Sequence, residues 1–168
     1  MALNIQDGAE AGQHAIEPHI LERKPFDPNK HLGNVWSFVE QISKRSGGSL
    51  DAGKIVGKDY LQEGESTISG EERLKRIKAT PADIQLDAED FLALYEEKDQ
   101  LTLRWLYESQ GITWLSFWGT ILGSTLSDGN VLCVLCLYHS GDGSWFWGYG
   151  RVGDLDWVVG GLSAVLAS

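Results

Sequence analysis

Apolar residues recur at three- and four-residue spacing through Leu32, Val35, Trp36, Val39 and Ile42, the stripe of an amphipathic helix. Asp27-Pro28 offers an N-cap followed by proline at the first helical position. Ser46-Gly47-Gly48 supplies a C-terminal stop, so a helix is predicted between these signals. A weaker short helix is expected over residues 51–58, then a strand and loop to Ile68. Ser69-Gly70-Glu71-Glu72 matches a capping box. It opens a second helix with Leu74 and Ile77 on its buried edge, ended by Thr80-Pro81. Residues 1–26 show no sustained period and read as a mobile arm that folds back on the domain or on a partner subunit. One folded domain is expected over 27–168.

From about residue 90 the period becomes two. Phe91–Tyr95, then Leu101, Leu103, Trp105 and Tyr107, read as a hairpin with its turn near Asp99. A third strand is expected from Ile112 to Leu122. Two strong turns, Ser127-Asp128-Gly129-Asn130 and Ser140-Gly141-Asp142-Gly143, bracket a strand over Val131–His139 and precede a last long one, Trp145–Val152. Helices first and then a meander of strands predict an α+β domain, with N-terminal helices packed on a curved antiparallel sheet.

Length and composition fit that class: 168 residues, 42% hydrophobic and 23% charged, are ordinary for a single globular domain. The net charge of −10, with 14 basic against 24 acidic residues, argues against nucleic-acid or anionic-membrane binding, which needs clustered Lys and Arg. Cys133 and Cys136 lie three apart in a predicted strand, on opposite faces, and read as buried, inert thiols. With no disulfide framework, leader or long apolar span visible, the cytoplasm is the expected compartment. Gly48–Lys54 has phosphate-loop spacing, but Ile55 replaces the magnesium-binding hydroxyl and a helix rather than a strand is expected before it. His14, His19, His31 and His139 share no ligand spacing with acids, so neither metal nor cofactor is expected.

Candidate chemistry concentrates in the last strand. Trp145, Trp147, Tyr149 and Arg151 alternate and share one face, while Gly148 and Gly150 on the other allow close backbone approach. The rings serve either as core or as the lining of a cavity for a small, mainly apolar or aromatic ligand, with Trp36 and Trp105 as further candidates. Arg151 is then the cavity's polar contact. Asp154, if sheltered by aromatics, gains a raised pKa suited to proton transfer; otherwise it is a turn carboxylate. Tyr60 is a further catalytic candidate, and Glu63 another.

In order and spacing these segments resemble the nuclear transport factor 2-like superfamily, above all its SnoaL-like polyketide cyclase and ketosteroid isomerase-type branches. The resemblance covers roughly residues 30–164. It rests on Asp59-Tyr60-Leu61-Gln62, Gly70-Glu71-Glu72-Arg73-Leu74, Lys98–Trp105, Asp142-Gly143 and Asp154 ahead of Leu162. It implies a cone, with helices closing a strongly curved sheet around a pocket, a homodimer formed through the sheet, and cofactor-free proton-transfer chemistry. The cyclases' acid/base Asp falls on Gly150 or Arg151 here, its His partner near Cys136, and a frequent His-Asn pair becomes Glu63-Gly64. Two functions therefore stand open. One is a cofactor-independent isomerase, cyclase or hydro-lyase using Arg151 with Asp154 or Tyr60. The other is a non-catalytic ligand- or partner-binding module.

Overall fold

Strand β7 (Trp114–Ser127) is the axis on which the other elements are hung. The computed structural model describes residues 17, 19–43, 45, 47–127, 129–153, 157–158 and 161–167. Along one edge β7 pairs antiparallel with β8 (Gly129–His139), which pairs with β9 (Trp145–Arg151). Its other edge is shared. The N-terminal half runs parallel to β11 (Leu162–Leu166), and the C-terminal half is antiparallel to β2 (Trp36–Gln41). Strand β11 in turn holds β4 (Ile55–Lys58) and β6 (Ile84–Gln85). The result is a seven-stranded sheet that does not close into a barrel, since its end strands β4 and β9 do not pair.

The class expected from sequence, α+β, is the one observed, but the sheet is mixed rather than antiparallel, because β11 returns alongside β7. The sheet also bends. Trp36 on β2 and Tyr149 on β9 are separated by two strands, about 14 Å at the usual spacing. Their rings nevertheless meet edge-on with centroids 5.0 Å apart. Pairing irregularities in β2 and β7 supply the bend, as an unpaired residue locally increases strand twist.

Each face of the sheet has its own core. On the first, Leu115, Phe117, Leu122, Cys133, Leu135 and Leu137 meet α3 (Ala88–Tyr95) and α4 (Leu101–Gln110), which contribute Phe91, Leu94, Leu103 and Leu106. On the second, Trp118, Ile121, Val134 and Cys136 meet Ile77 of α2 (Gly70–Ala79), Tyr60, and Trp157 of β10 (Trp157–Val158), which pairs with β5 (Thr67–Ile68). Cys133 and Cys136 do sit on opposite faces as free, buried thiols.

Three expectations are corrected. The predicted helix from residue 28 stops after α1 (Pro28–Leu32). Asp27 caps it, but Gly33 ends it at φ 105°, and the branched and aromatic run after it forms β2. Of the predicted stripe Trp36 is buried, while Val39 is exposed. The predicted hairpin at 91–107 is the helix pair α3 and α4. Asp87 and Asp90 form a capping box at the start of α3, and the turn signal at Asp99 is real but links helices through left-handed Asp99 and Gln100. Finally, the assigned arm reaches too far. Residues 1–16 lie outside the described residues, yet β1 (Ile20–Glu22) pairs with β3 (Ser49–Asp51), and Arg23 and Phe26 are buried. The phosphate-loop lookalike is β3 followed by a single 3-10 turn.

Gly70, the first residue of α2, lies against β9's exit: a Cβ there would sit 2.3 Å from the Val152 carbonyl oxygen and 2.7 Å from Trp157 Nε1. Alanine normally favours a helix over glycine by about 1 kcal/mol. Here the sign is expected to reverse, with Gly70→Ala costing about 1–3 kcal/mol from overpacking. Urea denaturation measures it, and a stabilised variant would refute the contact.

Candidate functional site

A cleft of about 580 Å³ opens where the end of β2 meets the C-terminus of α2 and the approach to β6. Its walls carry Glu40, Ser43 and Arg45 on one side and Ile77, Lys78, Asp83 and Gln85 on the other. Ile42, Pro81 and Ile84 make the lining part apolar.

Behind the α2 side of this wall lies Tyr60, a sequence-nominated residue bonded to the cleft's lining through Asp83 and Gln85. Its hydroxyl donates to Asp83 Oδ2 at 2.8 Å and accepts from Gln85 Nε2. Since the phenol has one proton and Asp83 takes it, the Gln85 amide must present nitrogen to Tyr60. Lys58 Nζ reaches the same Asp83 oxygen at 2.5 Å. Tyr60 is held at φ 60°, a left-handed conformation costly for an aromatic residue. Its buried ring, its hydroxyl bonds and the 2.9 Å bond from Arg76 Nη1 to its carbonyl fix it there. Burial, with the Asp83 carboxylate beside it, pushes the phenol above its ordinary range. Burial raises the Asp83 carboxyl, but Lys58 and Tyr60 outweigh it and hold the group below the usual carboxylate range.

Beneath the other wall is an ion network. Arg23 is buried, with Nη2 donating to Asp87 Oδ2 at 2.7 Å and Nη1 to the Gly47 carbonyl at 2.6 Å. Its Nε lies 2.7 Å from Asp90 Oδ1, close enough for ionic attraction though not aligned as a hydrogen bond. Arg45 Nη1 spans both Asp90 oxygens at 3.0–3.1 Å. Gln41 joins Asp87 to Thr120. Burial and the neighbouring Asp87 carboxylate raise Asp90 to about 6, against the pull of Arg45 and Arg23.

The other nominated residues lie elsewhere. Trp145, Trp147, Tyr149 and Arg151 do share a face of β9, but that face is packed on the first core: Trp145 is buried, Trp147 packs on that core, and Tyr149 meets Trp36. Trp36 is itself buried and Trp105 packs on the same core from α4. None of these lines the cleft. Arg151 is exposed at the end of β9, opposite Cys133. Asp154 lies outside the described residues. The expected close approach at Gly150 is real, for a Cβ there would meet the Trp157 ring at 2.3 Å.

Sequence reading missed Arg23, Arg45, Asp83, Gln85, Asp87, Asp90 and Arg73. Arg73 had a signal: it lies four residues before Ile77, on the buried edge of α2. Among the described residues no group of three or more His, Cys, Asp or Glu is placed to hold a metal ion, and no helix is long and apolar enough to cross a membrane. Comparisons with protein-family models, curated proteins and solved structures find no match.

The elevated Asp90 gives a signed prediction. An unfolded aspartate titrates near 3.9, so between about pH 4 and 6 the folded chain holds the extra proton. The stability owed to this group then falls as pH rises through that window. Relative to Asp90→Asn, wild-type stability in urea is expected to decline from about pH 4 to about pH 7 and level off above it. A pH-independent difference would exclude the shift.

Proposed function

We propose that the chain is a binding module for a small organic ligand, seated in the cleft between β2, α2 and β6. One observation carries this reading: a cleft of about 580 Å³ whose apolar surface from Ile42, Ile77 and Ile84 is ringed by polar side chains. Such a volume suits a drug-sized molecule, with apolar walls for its body and a few polar groups to orient it.

Binding without turnover is favoured by the state of those polar groups. A general base works best with a pKa near ambient pH. Asp83 is held low by Lys58 and Tyr60, and Tyr60 is held high. Lys78 is engaged with Glu40 at 2.8 Å, and Arg45 with Asp90. These groups recognise hydrogen-bond partners; they are poorly poised to move protons. The cone closed by helices, the homodimer, the cytoplasmic setting and the nuclear transport factor 2-like kinship belong to the same proposal. The capped start of α2 and the β7–β9 meander support the last of these, whereas the helices at 91–107 occupy what it would make a hairpin.

Ile84 is part exposed on the cleft wall, so Ile84→Trp fills the space without disturbing the core. In a thermal-shift screen of steroids, polycyclic ketones and aromatic amines, one class is expected to stabilise the wild type saturably. Ile84→Trp should weaken that binding at least tenfold. Unchanged affinity in the variant would move the site away from this cleft.

A further inference from the structure

Two arginines are enclosed in this fold, and they are held alike on one side only. Arg23 places Nη1 on the Gly47 carbonyl and offers its Nε/Nη2 edge to the carboxylates of Asp90 and Asp87, each 2.7 Å away. Arg73, fully buried on α2, likewise gives Nη1 to a backbone carbonyl, that of Gly161. Its Nε and Nη2, however, have no hydrogen-bond acceptor among the described residues. These two N–H groups point the same way from one edge of a planar guanidinium, the fork that matches the two oxygens of a carboxylate.

The surroundings favour an anion. The Arg73 Cζ lies over the Trp157 ring, 5.2 Å from its centroid, a cation–π contact that gives Nε and Nη2 no lone-pair acceptor. Beneath α2 a row of paired residues crosses the second face of the sheet, from Ser163 on β11 through Ser116 on β7 to Cys136 on β8. The Ser163 hydroxyl is also buried without a partner among the described residues, while the Trp114 indole N–H interacts with the Cys136 sulfur. Among the described residues, the ionisable groups that act on Arg73 are Asp59, Cys136 and Tyr60. Burial pushes the Cys136 thiol up to about 12 and Tyr60 higher still, so both are neutral. Asp59 acts through its field and spends Oδ1 on the Leu61 amide. Burial lowers Arg73 to about 10, as befits a cation with too little counter-charge. A buried ion and its donors are tolerated when something pairs with them.

We infer that the Nε/Nη2 edge of Arg73 is a buried carboxylate-binding site, completed by the Ser163 hydroxyl. It stands apart from the cleft and does not depend on the function proposed for it.

Acetate is the probe. The full chain, dialysed into chloride buffer, is melted in increasing sodium acetate and in sodium chloride at matched ionic strength. Acetate is expected to raise Tm saturably by about 5 °C or more near 100 times its Kd, where linkage predicts a few kcal/mol in a domain of this size. Arg73→Lys keeps the charge but loses the fork and should abolish that specific rise. Equal melting in the two salts, or an acetate response retained by Arg73→Lys, overturns the site. Asp154 and Asp156 lie outside the described residues, and Asp154→Asn/Asp156→Asn tests whether the chain supplies the carboxylate itself. A loss of stability matching that of Arg73→Met would overturn the proposal. With ¹³C-acetate, NMR of the wild type reads occupancy without a variant: a bound resonance is expected, and the free resonance alone refutes it.

Discussion

A guanidinium sealed from water between two carboxylates sets the terms for this fold. Arg23 holds the end of β1 against the start of α3. Removing one partner of such a cluster leaves an uncompensated buried charge, typically at a cost of about 3–5 kcal/mol. The same two carboxylates begin the helix: Asp87 accepts from the amides of Glu89 and Asp90, and Asp90 accepts from that of Asp87. Through Gln41 and Arg45 they also fix the segment that forms one wall of the cleft. Chain entry, helix start and site geometry thus share one electrostatic origin.

The two faces of the sheet differ in chemistry more than in depth. Under α3 and α4 the first face is mostly aliphatic and aromatic, with Cys133, Thr102 and Thr120 among its buried residues. The second mixes Trp118, Ile121 and Val134 with Ser116, Cys136, Ser163 and the overlying Arg73. Strand β7 contributes to both by its alternation, which slips between Phe117 and Leu122, so that Trp118 and Ile121 fall on one face instead of opposite ones. A side chain at Gly119 would run into the Leu86 carbonyl at 2.7 Å. The slip also brings the Gly119 carbonyl to the amides of Ile42 and Ser43 and so places the cleft's edge.

Strands β7 to β9 were legible because their turns are spelled by Gly, Asp and Ser and the runs between are rich in branched and aromatic residues. Helix α2 was legible from Ser69, whose side chain accepts from the Glu72 amide. At Leu101, Leu103, Trp105 and Tyr107 alternation misled: the buried apolar residues are Leu103 and Leu106, a helical spacing, while Tyr107 is exposed. The tryptophan row in β9 shared a face as read, but nothing local to the strand tells core from cavity. That depends on α3, which arrives from fifty residues earlier. The cleft was illegible for the same reason, since its polar contacts join residues far apart in sequence, such as Tyr60 to Asp83 and Arg45 to Asp90.

Strand β11 has a consequence for how the chain comes to be folded. It lies between β4 on one edge and β7 with β6 on the other, so partners from residues 55–58, 84–85 and 115–116 meet through it. Until residues 162–166 leave the ribosome, β4 and β6 have no place in the sheet, and β7 presents an unpaired half-edge. Long-range closures of this kind slow folding, and exposed edges invite pairing with other chains. The nascent chain therefore passes through a period of exposure just before residues 162–166 emerge, when the β7–β8–β9 meander already exists and the half-edge of β7 around residues 115–116 is bare.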